Sequence, residues 1–173
     1  TGLFQDNGSY EKGWVLGTYD GSFSFAVSTD DKLTYLKADA AVKFGEWYHV
    51  VGTYDGDTQK IYINGELKGS VAKKGEIVYP PDGWFQIGAY KDDNEANGHD
   101  GYISDVIVWE GAISQEDVIN LYRETVPPFV NFEADATEIN VNQTVHFYDK
   151  TQFEPLNWHW YFKGGNPETS NEK

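Results

Sequence analysis

Three sets of residues in this 173-residue chain have types and spacings that could do chemistry. Glu133, Asp135 and Glu138 lie close together, and a pair of carboxylates across a sugar can serve as nucleophile and acid in glycoside hydrolysis. The segment Lys91–Gly101 carries Asp92, Asp93, Glu95 and Asp100, with Asp105 just beyond. Carboxylate and amide oxygens of this kind suit calcium, a hard ion. Asp93, Glu95, Asn97 and Gly98 imitate the opening of an EF-hand loop, but Ser104 stands where the bidentate Glu is needed, and both flanks are strand-like, so an EF-hand is excluded. Trp14, Tyr79, Trp84 and Tyr90 flank loops and could form a sugar platform. A pyranose C–H face packs on an aromatic ring, and Asn94 and Asn97 could take its hydroxyls. His49, in the run Trp47–Val51, has no recognisable nucleophile or acid partner and reads as a structural histidine.

Mostly strands must position these groups. Trp14–Tyr19 and Ser22–Val27 flank Asp20-Gly21, and Lys60–Ile63 runs into Asn64-Gly65; both dipeptides are two-residue hairpin signals. Further strands are expected at Leu33–Leu36, Glu46–Tyr54, Trp84–Tyr90 and Tyr102–Trp109, with Trp47 and Trp109 in the core. One helix is expected, starting at Ser114. Asp117 occupies the reciprocal capping position, and Ile113 and Val118 are spaced as a hydrophobic staple. Pro127-Pro128 then reads as a linker.

Composition narrows the classes. Six Trp, twelve Tyr and ten Phe favour pleated, half-buried surfaces and an all-β fold. A net charge of −15 opposes binding to nucleic acid. The absence of Cys excludes disulfides, thiolate zinc sites and a cysteine nucleophile. No apolar run is long enough to insert in a membrane as a helix.

The stretch GEWYHVVGTYDGDTQKIYINGELKGS, then WFQIGAY, then GHDGYISDVIVWEGAISQEDVINLY, closely resembles the laminin-G-like, pentraxin-type branch of the concanavalin A-like lectins. Asn131-Phe132, Thr144–Asp149 and Trp158-x-Trp160-x-Phe162 before Gly164-Gly165 resemble the start of a PKD domain, a small immunoglobulin-like sandwich. The resemblance implies a concanavalin A-like β-sandwich (jelly roll) over residues 1–126 and a partial PKD-like β-sandwich over 127–173. It also implies that strands outside Thr1–Lys173 complete both sheets, because the family's Asp-rich opening strands and the second family's final strands are missing. One of Trp158 and Trp160 should lie in the second unit's core.

Members of such families usually bind rather than catalyse, so the expected role is noncatalytic binding of a glycan or cell-surface ligand. The setting implied is a larger secreted or surface protein, of bacterial origin, with further domains of the same polypeptide as partners. Calcium is the cofactor the resemblance suggests, with Asp92, Asp100 and Asp105 as ligands. The alternative is a structural spacer attached to a secreted enzyme. Gln5–Trp14 resembles laminin-G-like modules on calcineurin-type phosphoesterases, and a glycoside hydrolase is another such enzyme. Glu133–Glu138 fits the E-x-D-x-x-E pattern of laminarinase-type glycosidases. It falls after the linker, however, and lacks the bulky residues that anchor a groove strand, so an exposed acidic loop and no hydrolase activity are expected.

Overall fold

The two hairpin dipeptides form tight turns with left-handed backbone at both central positions. Asp20 and Gly21 have φ of 49° and 75°, and Asn64 and Gly65 have 53° and 80°. This geometry matches the twist of the flanking strands. In the computed structural model, the described residues are all but 7–10, 93–94, 127–129 and 152–156, with residues 3, 5 and 6 described by backbone alone. They divide into two compact units, Thr1–Tyr122 and Arg123–Lys173.

In the first unit the strands are β1 (Gly2–Asp6), β2 (Glu11–Tyr19), β3 (Ser22–Ser28), β4 (Leu33–Ala41), β5 (Val50–Tyr54), β6 (Thr58–Ile63), β7 (Glu66–Ala72), β8 (Phe85–Gln86), β9 (Ala89–Lys91) and β10 (Ala96–Gly98). They pair into a five-stranded sheet in the order β4-β3-β2-β1-β8, a three-stranded sheet β5-β6-β7 and a two-stranded sheet β9-β10. Every pairing is antiparallel. This is the nearly all-β, concanavalin A-like sandwich expected from the sequence.

Alternation decides which side chains meet. Phe25 and Val27 of β3 and Ala38 of β4 pack against Ile61 and Ile63 of β6, joining the two larger sheets. The opposite face of the five-stranded sheet buries Phe4, Val15, Ala26 and Leu33, with Tyr35 and Tyr90 packed over them. β3 is covered on both sides, so even Ser24 and Ser28 are buried. Gly52 of β5 sits where a Cβ would enter the Phe25 ring, which explains why that strand position carries no side chain.

The helix α1 (Gln115–Thr125) begins one residue after Ser114. Asp117 N donates to Ser114 Oγ at 3.1 Å, and Ser114 N donates to Asp117 Oδ2 at 3.0 Å, the reciprocal cap expected. Ser114 Oγ also donates to Asp117 Oδ2 at 2.6 Å, and this bond, with the one from Ser114 N, holds the Asp117 carboxyl below its ordinary range. Val118 is fully buried against Val51 and Tyr62, with Ile113 beside them, so α1 covers the outer face of the three-stranded sheet.

Three expectations are corrected. Tyr102–Trp109 joins no sheet among the described residues, and Tyr102 and Trp109 are 85% and 42% exposed. An alternating apolar pattern specifies a face, but a strand also needs a neighbour to satisfy its backbone, and none is supplied here. Glu46–Tyr54 becomes a strand only from Val50, so Trp47 is 68% exposed rather than core. Trp84–Tyr90 is interrupted by Gly88, whose φ of 77° turns the chain between β8 and β9.

In the second unit β11 (Phe132–Ala134) pairs with β12 (Phe147–Asp149), and β13 (Trp160–Tyr161) with β14 (Thr169–Ser170). Phe132, Phe147, Trp160 and Phe162 form one aromatic cluster, with ring centroids 4.8–6.3 Å apart. Trp160 is thus the cluster member of the tryptophan pair, whereas Trp158 Nε1 donates to Asp149 Oδ2 at 2.9 Å.

Candidate functional site

The register places the proposed platform. Trp14 of β2 is opposite Val27, whose side chain lies between the sheets, and Trp14 packs against that same core. The backbone of β1 pairs Leu3 with both Trp14 and Phe85, so Phe85 falls on the same face at the β8 edge. The two rings are 5.9 Å apart and tilted by 58°. Trp84, next in the chain, is 59% exposed. Gly13 N donates to Val78 O at 2.7 Å and Val78 N to Ser28 O at 2.9 Å, which fastens the segment leading to exposed Tyr79 beside β2.

A side-chain clamp holds this edge. Buried Gln86 donates through Nε2 to Lys91 O at 2.7 Å and accepts at Oε1 from Lys91 N at 3.0 Å. Gln86 is buried and Phe85 is exposed, on opposite faces of β8 as alternation requires. Sequence reasoning missed both residues. The available signal was Phe-Gln following Trp84, an apolar–polar step read as an ordinary strand rather than as an exposed ring backed by a buried amide.

Tyr90 does not join the platform. Its ring stacks on Phe4 at 4.3 Å, covering the other face of the five-stranded sheet. Asn97 lies opposite Tyr90 on β10, and it is exposed. Asn94 lies outside the described residues.

Among the described residues, no three His, Cys, Asp or Glu side chains gather to hold an ion. Asp92 Oδ1 accepts from Glu95 N at 2.7 Å, and Asp105 Oδ2 accepts from Ser104 Oγ at 2.5 Å. Asp100 is exposed. Asp105 adopts φ of 51°, a left-handed conformation that acidic side chains tolerate. In the second unit Glu133 and Glu138 are exposed, and Glu133 Oε2 lies 3.4 Å from Lys150 Nζ.

His49 is structural in its backbone: its N donates to Asn64 Oδ1 at 2.9 Å, and Asn64 N donates to its carbonyl at 2.8 Å. Its ring lies 5.8 Å from that of Tyr122 on α1, and its Nδ1 is buried without a hydrogen-bond partner. Burial lowers its pKa below the ordinary 6.5. At pH values between the lowered folded pKa and 6.5 the unfolded chain therefore binds more protons, so stability falls as pH drops through that window. Thermal midpoints measured across it should show this decline, and His49→Gln should flatten it; an unchanged slope would show that His49 is not the sensor.

A five- and a three-stranded antiparallel sheet packed face to face define a lectin-like β-sandwich. The family profile described as concanavalin A-like lectin/glucanases superfamily, of laminin-G type, matches residues 1–119, and the chain belongs to that family. The chain is 28% identical over 134 residues to mouse pappalysin-1 and 27% identical to the human protein, covering 69% of this chain and 8% of each relative. It is 26% identical over 123 residues to mouse pentraxin-related protein PTX3, covering 64% of this chain and 32% of that one. The chain thus spans only a small part of these relatives' length. A solved S-layer domain-containing protein from Clostridium thermocellum aligns over 68% of this chain and 59% of its own, with 25% identity and a TM-score of 0.39.

Proposed function

We propose that the first unit is a noncatalytic binding module of a larger protein that works outside the cell, and that it takes a glycan on the Trp14, Phe85, Trp84 and Tyr79 edge. The observation that carries this reading is the exposed Trp84, next in the chain to Phe85 of the Trp14–Phe85 pair, on a segment held by the Gln86 clamp. An aromatic ring offered from a braced edge suits stacking on a sugar face. Membership in a lectin-like family supports the same reading.

Binding of the purified protein to an array of glycans tests it. Trp84→Ala should weaken a positive glycan roughly tenfold, about the size of one lost stacking contact. Tyr90→Phe, at a ring stacked in the sandwich, should leave binding nearly unchanged. Silence across the array, or equal binding by Trp84→Ala, would reject the platform and leave the spacer role.

Calcium enters this proposal only through rearrangement, with Asp92, Asp100 and Asp105 drawn together around the ion. Calorimetric titration after chelation should then give a binding heat that the double variant Asp100→Ala, Asp105→Ala abolishes. Glu133 and Glu138 are assigned no catalytic role in this reading.

A further inference from the structure

The chain contains Asn-Gly at Asn64-Gly65 and Asn97-Gly98, besides Asn7-Gly8, which lies outside the described residues. Asn-Gly is the dipeptide at which a backbone amide most readily attacks the preceding side chain, because glycine carries no Cβ to obstruct the approach. The two described copies differ sharply in their surroundings.

At Asn64 the side chain is held. Its Oδ1 accepts from His49 N at 2.9 Å, its own N donates to His49 O at 2.8 Å, and Gly65 is buried with the Tyr122 ring against it. The Asn64 carboxamide carbon is therefore kept away from Gly65 N.

At Asn97 nothing comparable acts. Asn97 and Gly98 are both exposed, and no hydrogen bond of the Asn97 side chain is seen among the described residues. The ladder phase adds a second observation. Asp92 N donates to Glu95 O and His99 N donates to Gly88 O, so the pairs 92/95 and 88/99 are hydrogen-bonded pairs of the β9–β10 register. Such pairs alternate in an antiparallel ladder, which makes 90/97 bonded and 89/98 non-bonded. Gly98 N–H therefore points away from β9, to the outer edge of a two-stranded sheet.

We propose that Asn97 is a site of spontaneous deamidation that adds a carboxylate to the segment already carrying Asp92, Glu95 and Asp100. Solvent base removes the Gly98 amide proton, and the nitrogen attacks Asn97 Cγ. The new C–N bond closes a five-membered succinimide, while the Cγ–Nδ2 bond breaks and ammonia leaves. Solvent water then opens the ring at either carbonyl, giving an aspartyl or an isoaspartyl residue. No oxidant or reductant is needed. Each event converts a neutral amide at the candidate loop into a negative charge, and the isoaspartyl product also lengthens the β10 backbone by one carbon. The inference stands on the β9–β10 geometry and is independent of the glycan reading.

The whole 173-residue protein, folded, is incubated at mildly alkaline pH in heavy-oxygen water and peptide-mapped by mass spectrometry over time. Label should accumulate at Asn97 at least roughly tenfold faster than at Asn64, equivalent to about 1.4 kcal/mol in barrier. Gly98→Ala tests the route, because a Cβ there meets nothing within 4 Å and the variant should fold normally. It should slow labelling at Asn97 by a similar factor and leave Asn64 unchanged. Denaturing the protein should erase the difference between the two sites. Equal rates at Asn97 and Asn64 in the folded protein, or a Gly98→Ala variant that labels as fast as the parent, would overturn the proposal.

Discussion

Replacing Gln59 with Leu should destabilise the first unit by about 2–3 kcal/mol, seen as a lower midpoint in urea at unchanged slope. Gln59 is completely buried in β6. Its Nε2 donates to Phe25 O at 2.5 Å and to Thr34 O at 3.0 Å, so one amide group bonds across from the three-stranded sheet to two strands of the five-stranded one. The presence of two carbonyls fixes which end of the amide faces them, since only the nitrogen can donate. Leucine fills similar space but leaves both carbonyls without this donor, and an unsatisfied buried acceptor costs about 1–3 kcal/mol. Part of that loss is offset, because Gln59 Oε1 is itself buried with no partner and its desolvation cost disappears with the side chain. Gln59→Glu should be worse than Leu, since it exchanges the donor for a carboxyl facing carbonyl oxygens. A Leu variant as stable as the parent would show that the cross-sheet bonds contribute nothing net.

Ile61→Ala should cost more, about 2–5 kcal/mol. Ile61 is fully buried two residues along the same strand, between Phe25, Val27 and Ala38 of the facing sheet. Truncation loses the transfer energy of the deleted carbons and leaves a cavity that two hydrogen-bonded sheets cannot collapse to fill. Ile61→Val removes a single methylene and should cost only about 0.5–1.5 kcal/mol. Exposed Leu67, on the neighbouring strand β7, is the matched control: Leu67→Ala should change stability by less than about 1 kcal/mol. If Ile61→Ala and Leu67→Ala proved equally mild, the two sheets would not share the core described.

Elements whose determinants are local were legible in the sequence. Asp20-Gly21 and Asn64-Gly65 turn as their backbone preferences require, and Ser114 with Asp117 caps α1. Ile113 and Val118 meet in one cluster because their spacing along the cap places them on one side. The alternation of β5 and β6 also carried the sandwich, since period two leaves one face for each layer.

The candidate site was less legible, for reasons visible at particular residues. Trp14, Tyr79, Trp84 and Tyr90 have equal standing in a list of loop-flanking aromatics. Only the fold separates them: Tyr90 is stacked on Phe4, while Phe85 joins Trp14 instead. The turn at Gly88 makes that choice, because it reverses the chain and sends β9 onto the outer face of the sheet. Trp47 and Trp109 read as core by pattern but remain exposed, because burial depends on what is packed opposite, and no local signal specifies that.

The all-β class, the hairpin turns and the capped helix follow from short-range backbone preference or from a pattern carried along the chain, and the family is legible as a resemblance over Gly45–Tyr122. The tertiary structure alone decided which aromatic edge is exposed, that Gln59 bonds across the sheets, and that Asn64 is held while Asn97 is open. Those outcomes arise from contacts between residues distant in sequence, such as His49 with Asn64 and Gln59 with Phe25. Residue types along the chain cannot specify them until the register of each strand is set.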